Sequence, residues 1–279
     1  MPAGGPRTVS VRPVPERIEV DGVALAFERS PGDRLAAVFV HGLGGRREVW
    51  GEQRQAFATA GFDAIAIDLP GHGDSAKPPG PYSVESWAAT VVGLLDELAI
   101  EHVALIGHSI GCTVVEQAAV SLGERCTALA MLGGALSFSE EFKATLRERA
   151  ELARAGRMRE IGEAVAKTGL TEGAHARRPD LAERVVELIA SNDPEAYAES
   201  ALATSRAAMT GPGDVGCPAL AFAGAEDPVG PPAEAERIAA ALPQGETAVV
   251  EAGAHMCMLE VGGRVSRVLL EFLQARTIG

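Results

Sequence analysis

Short apolar runs alternate with amphipathic segments along most of the chain, and this alternation predicts the secondary structure. Six runs have the length and continuous hydrophobicity of strands in a buried sheet. They are LAAVFVHG, DAIAIDLPG, VALIGHS, TALAMLGG, PALAFAGAED and TAVVEAGAH. Segments with helical spacing lie at 49–60, 84–99, 233–242 and 263–275. Because strands that alternate with helices form parallel sheets with right-handed crossovers, the chain is predicted to have an α/β fold.

The segment before these runs predicts a hairpin. RIEVDGVALAFER alternates apolar and polar residues on either side of Asp21-Gly22, a pair that favours a tight turn between antiparallel strands. The complete sheet is therefore expected to hold eight strands and to be mostly parallel. Residues 1–15 show no periodic apolar face and are predicted to form a flexible leader.

Residues 138–209 break this alternation. They are rich in Ala, Glu and Arg and show helical spacing in FKATLRERAELARAG and DLAERVVELIA. About 70 residues exceed what one crossover requires, so a helical cap is favoured over two long crossover helices. The predicted core then comprises residues 16–137 and 210–279. Gly133-Gly134 and Gly211-Pro212-Gly213 flank the cap and are candidate hinges for a lid.

Candidate chemistry is concentrated where the run VALIGHS meets a helical segment. Gly107-His108-Ser109-Ile110-Gly111 has the form G-x-S-x-G at this junction, which is the pattern of a nucleophile elbow. Such a sharp turn strains the serine backbone and brings other chain segments close. Both flanking positions must therefore lack a side chain. Ser109 is predicted to be a nucleophile above the sheet. The alternative is that it merely caps the helix that follows.

A serine hydroxyl is a weak nucleophile at neutral pH, so a base must accept its proton and a third group should orient that base. His255 and Asp227 each follow a predicted strand, in EAGAHMCMLE and FAGAEDPVGPP. The order Ser109, Asp227, His255 along the chain is the one expected for an elbow of this kind. These three residues are the predicted catalytic group.

Other residues compete for the roles of base and acid. His41 and His72 precede the nucleophile and are predicted to make structural hydrogen bonds in loops. Glu226 is the nearest rival acid, but the Asp-Pro-x-x-Pro-Pro register favours Asp227. The remaining candidates are His108 beside the serine, His102 and His175 at predicted surface positions, and Asp214 in a predicted turn.

Acyl transfer passes through an oxyanion, which needs N–H donors already in place, and losing one donor typically costs about 2.7–4 kcal/mol of barrier. The loop HGLGG at 41–45 directly follows a predicted strand. The N–H groups of Leu43 and Ile110 are the predicted pair. Arg46 and Arg47 come next and would suit a substrate carboxylate, but the favoured interpretation is that both are solvated loop charges.

Composition excludes several classes of partner. The net charge of −13 at pH 7 repels nucleic-acid phosphates and anionic lipid headgroups. Four dispersed cysteines in 279 residues fit buried thiols better than a disulfide scaffold or a metal site. Without an apolar signal core or a run of membrane-spanning length, the protein is predicted to be soluble and cytoplasmic. A homodimer is allowed but not indicated.

These motifs resemble the alpha/beta-hydrolase superfamily from about Arg17 to Ala275. VHGLGG, DLPGHGDS, GHSIG, AGAEDPVGPP and AGAHMCMLE are most similar to the 3-oxoadipate enol-lactonases and related small esterases and C–C bond hydrolases. The resemblance implies a Ser-His-Asp hydrolase that acts on small molecules, with a helical cap and with no metal or organic cofactor. Cys112 departs from the pattern, because glycine or another small residue usually follows the elbow. A serine in place of aspartate excludes the dehalogenase and epoxide-hydrolase branches.

The leading hypothesis is therefore hydrolysis of an ester or lactone through an acyl-serine intermediate. The same residues support two alternatives within the fold, cleavage of a C–C bond or of an amide in the manner of an aminopeptidase. A third alternative is a non-catalytic small-molecule receptor that uses the cap as a gate. Such a receptor has no need for a complete set of nucleophile, base and acid.

Overall fold

The computed structural model describes residues 15–277, and its centre is one eight-stranded sheet. The strands are β1 (Glu16–Val20), β2 (Val23–Ser30), β3 (Ala36–Val40), β4 (Asp63–Ile67), β5 (Val103–His108), β6 (Cys126–Leu132), β7 (Ala219–Gly224) and β8 (Gly245–Val250). Their order is β1-β2-β4-β3-β5-β6-β7-β8, and β2 alone runs antiparallel to the other seven strands. The predicted mostly parallel sheet is confirmed. Apart from Pro15, the predicted leader lies outside the described residues.

Helices cover both faces of this sheet. They are α1 (Gly51–Thr59), α2 (Val84–Glu97), α3 (Ile110–Leu122), α4 (Glu140–Arg154), α5 (Met158–Gly169), α6 (Glu172–Arg177), α7 (Pro179–Ala190), α8 (Pro194–Arg206), α9 (Pro232–Ala241), α10 (Cys257–Glu260) and α11 (Gly262–Thr277). Short 3-10 turns span Arg47–Trp50, Gly123–Arg125 and Pro212–Asp214. No helix within residues 15–277 combines the length and the apolar composition needed to cross a bilayer.

Alternate residues of the central strands divide the core into two layers. On β3, Val38 and Val40 pack with apolar residues of α2, α3 and α9, whereas Ala37 and Phe39 pack with those of α1 and α11. Phe39 also contacts the rings of Trp50 and Phe57, with centroids 5.4 and 5.0 Å away. A strand buried on both faces needs apolar residues at every position, which explains the continuous runs in the sequence.

The last strand differs from the prediction. The sequence predicts a core strand over 247–255, but β8 ends at Val250, and this is its only buried residue. Val249 is 46% exposed. Because β8 lies at the edge of the sheet, it has one strand neighbour instead of two. The length of an apolar run does not distinguish an edge strand from a central one.

Helices α4 to α8 form an insertion between β6 and β7, named here the helical insertion (Glu140–Arg206). Asp193 caps α8 by accepting the Ala196 N–H, and Pro194 occupies the first helical position, where its missing N–H is no loss. Packing of α4 on α8 and of α5 on α7 gives the insertion apolar contacts of its own, around Ile161, Ile189 and Tyr197. Division of the chain into a core and a cap at 138 and 209 stays a prediction.

Candidate active site

Ser109 lies in the tight turn between β5 and α3, with φ 54° and ψ −122°. Its side chain forms no capping hydrogen bond, so the alternative of a capping serine does not hold. A Cβ on Gly107 would overlap the carbonyl of Gly111, and a Cβ on Gly111 would lie 2.7 Å from the carbonyl oxygens of Val40 and His41. The predicted need for glycine on both sides of the serine is confirmed.

His255 and Asp227 form a hydrogen-bonded pair. The imidazole Nδ1 lies 2.9 Å from Oδ2 and 3.1 Å from Oδ1 of the carboxylate. Oδ1 also accepts the N–H groups of Val229 and Gly230, at 2.8 and 3.0 Å. Burial by itself raises the pKa of Asp227, but His255 and these two N–H groups outweigh it, so the pKa is below its usual value. Asp227 is therefore an ionised carboxylate that fixes the orientation of the ring.

The topology of the sheet brings these residues to one edge. Ser109 follows β5, Asp227 follows β7 and His255 follows β8, and the carboxyl ends of parallel strands share the edge where α/β proteins bind ligands. Gly133 follows β6 between them, where a Cβ would lie 2.8 Å from Asp227 Oδ2 and 3.1 Å from His255 Nδ1. A glycine at the end of β6 therefore lets the pair approach closely.

His108 supports His255 through a contact that the sequence did not reveal. Its Nε2 lies 2.9 Å from the backbone oxygen of His255. Since a carbonyl oxygen can only accept, Nε2 carries the proton and donates it. Burial lowers the pKa of His108 to about 3, so the ring is neutral. This bond ties the loop that carries His255 to the end of β5.

The HGLGG loop turns tightly beside Ser109. Gly45 N–H donates to Gly42 O at 2.9 Å, and Asn192 Nδ2 of the insertion donates to Gly44 O at 2.9 Å. Leu43 lines the same cavity as Ser109. Ile110 is the first residue of α3, and the N–H groups of a first helical turn have no acceptor within the helix. The two predicted oxyanion donors thus belong to the loop beside Ser109 and to the first turn of the helix that follows it.

The rival histidines His41 and His72 have structural roles, as predicted. His41 Nδ1 donates to Gly42 O at 2.8 Å, and its Nε2 accepts the Leu69 N–H at 3.1 Å. His72 Nδ1 lies 3.3 Å from Pro70 O, and the two rings are 4.9 Å apart. Burial lowers the pKa of His41 to about 4 and that of His72 to about 3.

Acidification is expected to destabilise the fold because three buried imidazoles stay neutral. In the unfolded chain His41, His72 and His108 would titrate at about pH 6.5, so stability present above that pH is lost as the pH falls below it. Together they give a slope of at most about 4 kcal/mol per pH unit. Urea unfolding at pH 7.5, 6.5 and 5.5 measures this slope. His72→Gln should reduce the slope of unfolding free energy against pH by about a third, whereas His102→Gln, at an exposed position, should leave it unchanged. A slope that neither variant changes contradicts its assignment to the buried histidines.

The interpretation of Arg46 and Arg47 as solvated loop charges is wrong. Arg46 is 8% and Arg47 2% exposed. Arg47 pairs with Asp68, with Glu28 at 3.2 Å and with Asp74 at 2.8 Å. Arg46 Nη2 donates to Ser191 Oγ at 2.7 Å. Both guanidinium groups are buried because carboxylates or hydrogen-bond acceptors surround them, and neither lines the cavity at Ser109.

Cys112, the departure from the family pattern, packs behind the elbow. Its Sγ lies 3.4 Å from Gly107 O and 3.3 Å from Leu132 O, and burial raises the pKa of the thiol. The side chain is fully buried, so it fills the space beneath the turn without disturbing it. Within the described part of the chain, no three His, Cys, Asp or Glu side chains are arranged to hold a metal ion.

Ser109 and His255 both line one cavity between the sheet edge and the helical insertion. The insertion contributes mainly apolar walls, formed by Phe142, Leu146, Val165, Leu188 and Ile189. Neutral polar groups come from Thr168 and Thr204, whose hydroxyls already donate to backbone oxygens of their own helices. The cavity suits a small, largely apolar molecule placed against the serine.

Comparison with known proteins agrees with this geometry. Residues 38–260 match the model of the alpha/beta hydrolase fold family. 3-Oxoadipate enol-lactonase 2 of Acinetobacter baylyi is 28% identical over 229 residues, which cover 82% of this chain and 84% of that protein. Among solved structures, a malate-bound thermophilic esterase from Thermogutta terrifontis has a TM-score of 0.87 at 28% identity, covering 94% of this chain and 99% of the other. The enol-lactonase from Burkholderia xenovorans has a TM-score of 0.85 at 25% identity, covering 93% and 100%. The chain therefore belongs to the alpha/beta hydrolase fold family and is a hydrolase, as the resemblance in its sequence implied.

Proposed function

We propose that this hydrolase cleaves carboxylic esters or lactones of small molecules through an acyl-serine intermediate. Ser109 is the nucleophile, His255 the base and Asp227 the residue that orients the base. The observation that carries the proposal is the His255 imidazole, which is hydrogen-bonded to a buried, ionised carboxylate and shares a cavity with Ser109. Relatives named as an esterase and as enol-lactonases support the substrate class.

The orientation of His255 sets the direction of proton transfer. The Asp227 carboxylate can only accept, so Nδ1 of His255 carries a proton and Nε2 holds the free lone pair. Nε2 accepts the Ser109 proton as the serine oxygen attacks the substrate carbonyl carbon. The ionised carboxylate stabilises the imidazolium that forms.

The attack moves the electron pair of the carbonyl onto its oxygen. The N–H groups of Leu43 and Ile110 are proposed to stabilise this oxyanion, with support from the dipole of α3. When the carbonyl re-forms, the ester C–O bond breaks, and the leaving oxygen takes the proton from His255 Nε2. The products of this step are an alcohol and an acyl-serine. In a lactone the leaving oxygen stays attached to the acyl group.

Water completes the cycle by the same route. His255 Nε2 accepts a proton from water as the water oxygen attacks the acyl carbon, and it returns that proton to Ser109 when the acyl–oxygen bond breaks. One water is consumed, and one carboxylic acid is released. His255 therefore accepts a proton twice and donates one twice in each turnover, and the oxyanion donors also act twice.

Labelling with a fluorophosphonate probe tests this proposal. We expect one label per chain, on Ser109, and a rate of labelling reduced at least about 100-fold by His255→Ala because the serine then lacks its base. Ser121→Ala, at an exposed position on α3, is the control and should label normally. An unlabelled protein that binds a small molecule tightly without turnover would support the receptor alternative.

Cleavage of C–C or amide bonds stays a prediction, since the same three residues support all these reactions. A panel of aryl esters, enol-lactones, β-diketones and aminoacyl anilides separates them, because kcat/KM reports how well each transition state is bound. We expect the highest values for esters or lactones. A cytoplasmic location also stays a proposal, and the four buried, free cysteines fit such a reducing compartment.

A further inference from the structure

One side chain with a formal charge lines the cavity that contains Ser109 and His255. It is Arg149 of α4, and no carboxylate accompanies it among the lining residues that the structure describes. Arg149 follows Phe142 by seven positions and Leu146 by three, so the three side chains share one face of the helix. A cation thus occupies a position on the apolar stripe that covers the proposed nucleophile.

Carboxylates near this part of α4 are engaged elsewhere. Glu195 and Glu199 of the neighbouring helix α8 pair with Arg154, at 3.0 and 2.7 Å. Among residues 15–277, Arg149 forms no ion pair with a carboxylate. An arginine that is partly buried among apolar side chains is costly to hold without an anion. Arg149 is therefore a positive charge at the cavity with no anion to neutralise it among the described residues.

Tyr197 of α8 lies behind Arg149 and is not among the residues that line the cavity. It is 1% exposed, and its hydroxyl has no hydrogen-bond partner of good geometry within the described residues. Its neighbour is the guanidinium of Arg149: burial raises the pKa of Tyr197, and Arg149 opposes that shift through its charge and through a hydrogen bond to the hydroxyl oxygen. Buried hydroxyls are normally hydrogen-bonded. The Tyr197 O–H is therefore left without an acceptor, and among the described residues Arg149 has no acceptor other than the Tyr197 hydroxyl oxygen.

We propose that Arg149, positioned by its contact with Tyr197, binds a carboxylate group of the substrate and so directs the enzyme towards anionic esters or lactones. A carboxylate accepts two hydrogen bonds from one guanidinium, which fixes that end of the substrate in the cavity. This assignment rests on the proposed hydrolysis at Ser109. It makes Arg149 a specificity-determining residue, supplied by the insertion and not by the loops at the sheet edge.

Two aryl esters of matched shape test the assignment. The mono(4-nitrophenyl) ester of adipic acid carries a carboxylate, and 4-nitrophenyl 6-methylheptanoate replaces that group by an isopropyl group of similar size. Each kcat/KM is divided by the rate constant for alkaline hydrolysis of the same ester, which removes differences in intrinsic reactivity. A third substrate, 3-carboxyphenyl butyrate, places the carboxylate on the leaving group.

We expect the wild-type enzyme to favour at least one anionic ester over the neutral one. Arg149→Met should lower kcat/KM for that ester about 10- to 100-fold, the usual effect of losing a charge-assisted hydrogen bond. It should change kcat/KM for the neutral ester less than about twofold. Arg149→Lys should restore part of the loss, and Tyr197→Phe should cause a smaller one. Arg147→Met, at an exposed position on the same helix, is the matched control.

The results separate this assignment from the proposed function. Suppose that turnover requires Ser109 but Arg149→Met lowers kcat/KM equally for all three esters, or that the wild type prefers the neutral ester. The carboxylate assignment is then overturned, and the hydrolase proposal stands. If no ester is turned over in a Ser109-dependent way, the proposed function fails first. Thermal unfolding of each variant by circular dichroism shows whether the fold is retained.

Discussion

Replacement of Ser109 with alanine is expected to abolish turnover, lowering kcat for a short 4-nitrophenyl ester by about 10⁴-fold or more. The variant lacks the oxygen that attacks the acyl carbon, and no other hydroxyl stands between Gly107 and Gly111. The backbone at position 109 has φ 54°, but alanine is no more strained there than serine, so the fold should persist. Initial rates of the wild type and the variant measure the loss. The concentration of active wild-type enzyme is determined by titration.

Two further measurements make this result decisive. Unfolding midpoints of wild type and Ser109→Ala should agree, because the exchange removes one oxygen that makes no capping bond. Burst kinetics in the wild type should show one equivalent of aryl alcohol released before the steady state, as expected when acyl-enzyme accumulates. Undiminished turnover in the alanine variant would remove Ser109 from the mechanism.

Replacement of Asp227 with asparagine is expected to lower kcat about 10³- to 10⁴-fold. Oδ1 of Asp227 accepts two backbone N–H groups, so the amide oxygen of asparagine must take that place. Its NH2 group then faces His255 Nδ1, which has to become an acceptor. The ring proton moves to Nε2, where the lone pair for the Ser109 proton is needed. The variant therefore holds the base in the wrong tautomer.

The neighbouring residue provides a matched control for this exchange. Glu226 is the rival acid in the sequence, but its side chain is exposed, whereas Asp227 is 4% exposed. Glu226→Gln should leave kcat within about twofold of the wild type, as is usual for a surface substitution. Loss of activity in Glu226→Gln together with retention in Asp227→Asn would reverse the assignment of the orienting residue.

The strands and the proposed catalytic residues could be predicted because each has a local signal. Continuous apolar runs mark strands that are buried on both faces, and glycines on both sides of Ser109 mark a turn that excludes side chains. His255 and Asp227 could be placed because each follows an apolar run of strand length. Their meeting at one edge follows from the parallel topology, which the alternation of strands and helices also predicts.

Features that depend on distant contacts could not be predicted in this way. Arg47 reads as a loop charge because its partners Asp68, Glu28 and Asp74 lie 21, 19 and 27 residues away. Arg149 reads as an ordinary helix charge, and its one sequence signal is its position on the stripe of Phe142 and Leu146. The walls of the cavity depend on how the insertion packs on the sheet edge, which helical periodicity alone does not determine.

The glycine loop beside Ser109 rests directly against the helical insertion. Gly44 has φ 69°, and a Cβ there would lie 2.8 Å from Ile189 Cδ1 and Tyr197 Cε2. The loop that carries the proposed donor Leu43 is therefore packed against α7 and α8 of the insertion, which also line the cavity. If the insertion moved away from the sheet edge, the loop would lose these contacts, so the placement of the proposed oxyanion donor depends on the position of α7 and α8 as well as on the sheet.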